Sequence, residues 1–173
     1  MSDGCADAAP PNTGCTPGNT CIQGTWPTYM IDSPAIFNRA MSWLSYAYKM
    51  EGELYWGTNF ADHEYRGSSW SNQYLAGGNG DGSLTYPGRP DVIGGTTFIP
   101  IASMRLKMIR DSLEDWEYMH ALEQLSGRDA AMAQVSKVVT TAYNFTHDPA
   151  VMQAVRLALG KLVSEATALA AAG

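Results

Sequence analysis

Positive charge is what this 173-residue chain has least of: 11 Lys and Arg stand against 17 Asp and Glu, a net charge of -6. Proteins hold phosphate backbones with clustered Lys and Arg. No such patch is visible, so nucleic acid is not an expected partner. Long apolar runs are missing too. None approaches the ~20 residues of a membrane-spanning helix, so no membrane partner is expected. The opening Met1-Ser2-Asp3-Gly4-Cys5 has neither the basic start nor the apolar core of a secretory leader. No Gly-x-Ser-x-Gly elbow, phosphate loop or dinucleotide fingerprint occurs, and no cofactor is expected.

Cysteine is confined to Cys5, Cys15 and Cys21, among Gly, Pro, Asn and Thr. That composition reads as a loop, which a disulfide would staple. An odd count leaves one thiol over, with a partner upstream if the chain is part of a longer one. Free thiols and a zinc site are the rival readings. The spacings match no usual zinc knuckle and no His is near, so no metal ligand is assigned.

What is present fits one domain with a real core, since 45% of the residues are hydrophobic. Residues 1–30 are irregular, rich in Pro and Gly, and Trp26-Pro27-Thr28-Tyr29-Met30 is apolar enough to cover a core edge. Asp32-Ser33-Pro34 opens a helix running to about Met50, with a wide apolar face that includes Ile36, Phe37, Ala40, Trp43 and Leu44. Gly52 ends it. Gly52-Glu53-Leu54-Tyr55-Trp56-Gly57-Thr58-Asn59-Phe60 then reads as a short buried strand delivering aromatic and amide side chains to an open end.

A polar loop with His63 follows, and then Asn79-Gly80-Asp81-Gly82. This stretch is either a tight turn or half of a calcium loop, without the remaining ligands of an EF-hand. Ser83–Tyr86 is a second strand, stopped by Pro87-Gly88. The clearest helix spans 102–126, with Leu106, Ile109, Leu113, Trp116 and His120 on one face, Met119 and Leu122 beside it, and Gly127 as its stop. Asp129 is expected to cap a helix through Val139 to Tyr143. Asp148-Pro149 starts the last one, with Met152, Val155, Leu159, Leu162 and Val163 inward and an Ala-rich end expected to fray.

Chemistry-bearing candidates are few. Glu114 and Asp115 are neighbours on a helix and point about 100° apart, so they read as surface charges, pairing like Arg110 with Glu114. Arg105 either reaches the bottom of a site or clamps Asp111 or Glu114. His120 reads as structural, while His63 is a candidate for function. Tyr55, Trp56, Tyr65, Trp70 and Tyr86 gather near the two strand ends. They are either core packing or the ring faces of a sugar site, with nearby amides and carboxylates taking hydroxyls.

Three stretches together carry a resemblance: Gly52-Glu-Leu-Tyr-Trp-Gly-Thr-Asn59, Asn79-Gly-Asp-Gly-Ser-Leu-Thr-Tyr-Pro-Gly88, and Ser103-Met-Arg-Leu-Lys-Met-Ile-Arg-Asp-Ser-Leu-Glu-Asp-Trp-Glu-Tyr118. Over about residues 26–126 the chain resembles the C-terminal end of the catalytic domain of glycoside hydrolase family 123. The resemblance implies an α/β fold, the last βα units of a (β/α)8 TIM-type barrel with about two short strands here, and a mostly helical C-terminal tail. Residues 1–30, 31–126 and 127–173 would be the irregular segment, the barrel part and a helical hairpin.

It also implies a substrate-assisted N-acetyl-β-galactosaminidase in which an Asp-Glu pair does the chemistry. No Asp-Glu dipeptide occurs in this sequence. The chain is therefore expected to supply pocket walls and no catalytic residue, with Tyr55, Trp56, Asn59 and Tyr86 near the sugar. Met1 is expected to be internal to a longer protein or the start of a truncated frame. Open strand edges predict association with the missing barrel portion or with itself, and the cysteine-bearing loop favours an exported parent. The alternative is a non-catalytic carbohydrate-binding or remnant protein.

Overall fold

The computed structural model describes residues 26–62, 68–71, 73–74 and 78–172. Cys5, Cys15 and Cys21 lie outside the described residues, as do His63, Glu64, Tyr65 and Arg66. In chain order come α1 (Ala35–Ala47), a 3-10 turn (Phe60–Asp62), β1 (Thr85–Gly88), α2 (Pro90–Ile93), β2 (Ile99–Ala102), α3 (Met104–Ser126), α4 (Arg128–Val135), β3 (Val139–Thr141), β4 (Asn144–Phe145) and α5 (Pro149–Ala172). Two compact units result. One takes the chain up to Asn38 together with Leu54–Met108; the other takes Arg39–Glu53 and everything from Ile109 onward. Among the described residues no helix is long and apolar enough to cross a membrane.

The first unit is held by turns more than by regular elements. Its buried apolar residues include Tyr29, Met30, Phe37 and Leu84, so the Trp26–Met30 stretch does cover a core. β1 and β2 form an antiparallel pair in the register Thr85↔Ala102 to Gly88↔Ile99. The second expected strand thus starts two residues late and has an unexpected partner. Pro87 and Gly88 lie inside it because Pro87 faces Pro100, where neither strand has an N–H to lose. A Cβ at Gly88 would strike the Ile99 carbonyl.

The expected strand at 54–60 is not there. Among these residues only Asn59 makes a bridge, to Ser83, and Leu54 is 89% exposed. The backbone is instead laced to the turn beyond it. Thr58 accepts from the amides of Leu84 and Thr85 at 2.7 and 3.1 Å, and Phe60 donates to Gly82 at 2.9 Å. Glycine at 57 and 82 permits this approach, since a Cβ on Gly57 would sit 3.1 Å from the Gly82 carbonyl. Close contact with an irregular turn replaces the alternation of a strand.

The second unit is mostly helical. Trp43, Met119, Leu122, Val135, Met152 and Leu159 are fully buried in it, each contributing roughly 1.5–3 kcal/mol on the usual area scale. Met152, Val155 and Leu159 face inward on α5 as expected, and α5 stays helical to Ala172. Asp148 caps it by accepting from the Ala150 amide at 2.8 Å. Gly127, with φ +85, ends α3 and is also the cap position of α4. Asp129 is in the first turn of α4 and is not its cap.

The predicted helix to Tyr143 stops at Val135. The β-branched run Val138-Val139-Thr140-Thr141 pairs with Asn144–Phe145 instead. The inner face of α3 also differs from the apolar stripe expected. Met119 and Leu122, expected beside the stripe, are buried together with Ser112 and Asp115, while Leu113 is 57% exposed.

Candidate functional site

The site grows from the Asn79-Gly80-Asp81-Gly82 turn, whose two glycines have φ of +84 and +71. Such backbone is easy only for glycine. Each position of the turn has its own task. Asn79 donates its side-chain amide to Asp32 at 2.8 Å. At Gly80 a Cβ would sit 2.6 Å from the Arg105 guanidinium, and at Gly82 it would sit 2.5 Å from the Trp56 ring.

Asp81, 6% exposed, uses Oδ1 to accept from Trp56 Nε1 at 2.9 Å and from the Tyr55 hydroxyl at 3.2 Å. The same hydroxyl accepts from the Gly82 amide at 2.7 Å. The ring of Tyr55 meets Tyr29 edge-on, and Trp56 meets Phe60 edge-on at 4.8 Å. Trp56 stays 51% exposed. The turn is therefore a turn with a purpose: its carboxylate aims an indole and a phenol. Two flanking glycines are the sequence signal for this, because they let partners reach an acid from both sides.

Arg105 is the second organiser. The sequence left it between a site floor and an ion pair with Asp111 or Glu114. It does neither of the latter: Nη1 donates to the carbonyls of Tyr29 at 2.9 Å and Gly80 at 2.6 Å, and Nη2 donates to the Ser83 carbonyl. Burial pulls its pKa down, and Tyr55, Tyr86 and Asp81 oppose that by favouring its charge.

Beside the turn lies an open cleft of about 350 Å³. Asn59, Asp62, Tyr86 and Phe98 line it, with Arg89 at one side. Tyr86 leans on Trp70 with ring centroids 4.7 Å apart, and Trp70 Nε1 donates to the Pro87 carbonyl at 2.8 Å. Both Asp62 oxygens accept from Ser69, through the amide at 2.7 Å and the hydroxyl at 2.6 and 2.7 Å. Arg89 is held by Asp91 at 3.0 Å. A second cavity of about 380 Å³ shares Tyr86 and has Trp70, Asn38 and Arg105 in its wall.

The four residues singled out in the sequence thus fall into two pairs. Tyr55 and Trp56 meet at Asp81, and Asn59 and Tyr86 meet in the cleft. Phe98, Arg89 and the Asp62–Ser69 clamp were not foreseen in this role. The cleft offers apolar ring faces beside an amide and a fixed carboxylate, which suits a polyhydroxylated ring. Among the described residues no group of three His, Cys, Asp or Glu is placed to hold a metal ion.

Among the described residues charge pairs are denser in the second unit, where they lock helices. Asp115, expected at the surface, is fully buried. It accepts from Arg39 at 2.7 and 2.9 Å, from Trp43 Nε1 at 2.8 Å and from Arg156 at 2.7 Å. Glu114 stays outside on Arg156 and, more loosely, on Arg110 at 3.6 Å. His120 stacks on Trp116 at 4.9 Å, in keeping with a structural role.

A search of curated proteins gave no match to the chain. A family model described as glycoside hydrolase 123, catalytic domain, matches residues 13–122. That stretch contains the aromatic segment, the Gly-rich turn and the Arg105-to-Tyr118 part of α3, the elements from which the site is assembled. It is well over half of the sequence, and the chain belongs to the family of the glycoside hydrolase 123 catalytic domain.

Proposed function

We propose that this chain forms the substrate-pocket wall of a glycoside hydrolase acting on N-acetyl-β-galactosaminides. The observation that carries this reading is a set of aromatic rings, exposed Trp56 on Asp81 and part-buried Tyr86 against exposed Trp70, beside a cleft edged by Asn59 and Asp62. Ring faces take the C–H side of a pyranose, while amide and carboxylate take its hydroxyls. Tyr55, Trp56, Asn59 and Tyr86 are the substrate-binding residues of this proposal.

The family chemistry needs a Glu as general acid and an Asp to orient the acetamido group, so that the substrate's own carbonyl attacks the anomeric carbon. The usual two-carboxylate scheme does not apply. Neither described acid near the cleft suits the proton-donor role. Asp81 is turned to two donors, and both oxygens of Asp62 are taken by Ser69. Each is placed as an acceptor, which an ionised carboxylate does best. We therefore assign the acid pair to residues outside this chain, with 31–126 as the last βα units of a barrel and 127–173 as a helical tail. Exposed Val92, Phe98, Ile99 and Met104 on the first unit then fit a surface that the remaining barrel, or a second copy, would cover.

The test uses the purified chain, a chromogenic N-acetyl-β-galactosaminide and the corresponding free glycoside. We expect binding without turnover, and binding lost in Trp56→Ala and Tyr86→Ala. Turnover would place a catalytic acid in this chain, with Asp62, Glu64 and Asp81 the next to replace. Absence of any sugar binding by the wild type would remove the reading.

A further inference from the structure

Arg105 is 6% exposed, and among the described residues none of its hydrogen bonds goes to a carboxylate. They go to three main-chain carbonyls from two stretches: Tyr29 in the lead to α1, and Gly80 and Ser83 in the tight turn before β1. A buried guanidinium without an ion pair is expensive, and an apolar side chain of similar size would avoid that cost. A planar fork that reaches several acceptors at once is what arginine offers and lysine does not. Two of the three carbonyls, Gly80 and Ser83, bracket Asp81, the carboxylate that holds Trp56 and Tyr55. Gly80 lacks a Cβ where one would strike the guanidinium. Arg105 also shares a cavity wall with Tyr86, whose proximity favours the arginine's charge.

We propose that Arg105 is the positioning residue of the aromatic wall: by gripping the backbone on both sides of Asp81, it sets where that carboxylate holds Trp56 and Tyr55. The use of that wall for sugar rests on the function proposed above; the placement of Trp56 does not. In this role Arg105 acts through the turn.

The experiment compares two indole N–H groups in the full chain by hydrogen exchange. Trp56 bonds to Asp81, and Trp43, in the other unit, bonds to Asp115. In Arg105→Lys the Trp56 indole should exchange about tenfold faster, as loss of a charge-assisted hydrogen bond implies. The Trp43 indole should be unchanged. Arg105→Met, similar in length but without the planar fork, should give the same split. Affinity for methyl N-acetyl-β-galactosaminide should fall about tenfold alongside.

The split in either variant supports the proposal. Its absence from both overturns it, whether both indoles stay protected or both lose protection, the latter making Arg105 a general fold element. A wild type that binds no sugar removes the carbohydrate reading, while the two indoles still decide whether Arg105 sets Trp56.

Discussion

The two units bury charge in opposite ways. The first hides a cation, Arg105, among neutral main-chain carbonyls, and uses it to shape irregular backbone. The second hides an anion, Asp115, between Arg39 and Arg156, and uses it to join helical side chains. Helices satisfy their own main chain, so a buried charge among them meets other side chains. Turns leave carbonyls free, so a buried charge among them can meet backbone. The result differs in what is left outside. Beside Arg105 and Asp81 the Trp56 ring remains half exposed, as the proposed binding wall requires. Asp115 itself is fully buried, with its oxygens taken by Arg39, Trp43 and Arg156. Among the described residues, ion-paired charge thus marks the helical unit, and charge held by backbone marks the turn-built one.

The largest test of that contrast is Asp115→Ala. It leaves two arginines without their buried partner and the Trp43 indole without an acceptor, and should cost about 3–5 kcal/mol in denaturant unfolding. An effect within about 1 kcal/mol would mean that water replaces the carboxylate, and the contrast would dissolve. Asp81→Ala should be milder in stability, about 1–3 kcal/mol, but should abolish sugar binding, followed by tryptophan fluorescence. Equal damage by both substitutions to stability, with binding intact in Asp81→Ala, would erase the distinction between scaffold and site.

Gly82→Ala comes next. Its Cβ would meet the Trp56 ring at a backbone φ of +71, so a loss of roughly 1–3 kcal/mol is expected, with a change in Trp56 emission. Unchanged emission would show that the indole does not rest on the turn.

A pH series sharpens the comparison from the other side. In the second unit the Tyr46 hydroxyl donates to Glu123 at 2.6 Å, and Arg128 reaches the same oxygen at 3.3 Å. The Tyr46 bond, helped by Arg128, holds the Glu123 carboxyl below its ordinary range. Burial, and then Glu123, push the Tyr46 phenol above its own. The lowered carboxyl gives stability that is full above its unfolded value of about 4.3 and is lost as pH falls through the lower folded value. The raised phenol gives stability that is full below about 10 and is lost as pH rises. Tyr46→Phe should therefore destabilise most between about pH 5 and 9, and the gap from wild type should narrow toward either extreme. A gap independent of pH would show that Tyr46 acts by packing alone. The smallest effect belongs to Leu54→Ser. At 89% exposure it should shift stability by less than about 0.5 kcal/mol, whereas a buried strand residue would cost several times more.

Much of the scaffold was legible because helices announce themselves locally. The apolar spacing of α1, the Gly127 stop and the Asp148 cap of α5 each depend on a few neighbouring residues. Local patterns misled where a distant partner decided the outcome. Leu54-Tyr55-Trp56 has strand-forming residues, yet Asp81 draws Tyr55 and Trp56 to itself and Leu54 is left in solvent. The inner face of α3 was sought among its apolar residues and runs instead through Ser112 and Asp115, whose partners lie about 70 positions earlier in the chain.

By itself, then, the sequence determined where α1, α3 and α5 run, that the Asn79–Gly82 turn needs glycine and which family the motifs resemble. Only the tertiary structure decided that Arg105 grips carbonyls, that Asp81 orients Trp56 and Tyr55, and that Asp115 is buried. The reason is that propensity and periodicity act over a few residues, whereas the environment of a charge is set by whatever the fold brings within about 3 Å of it.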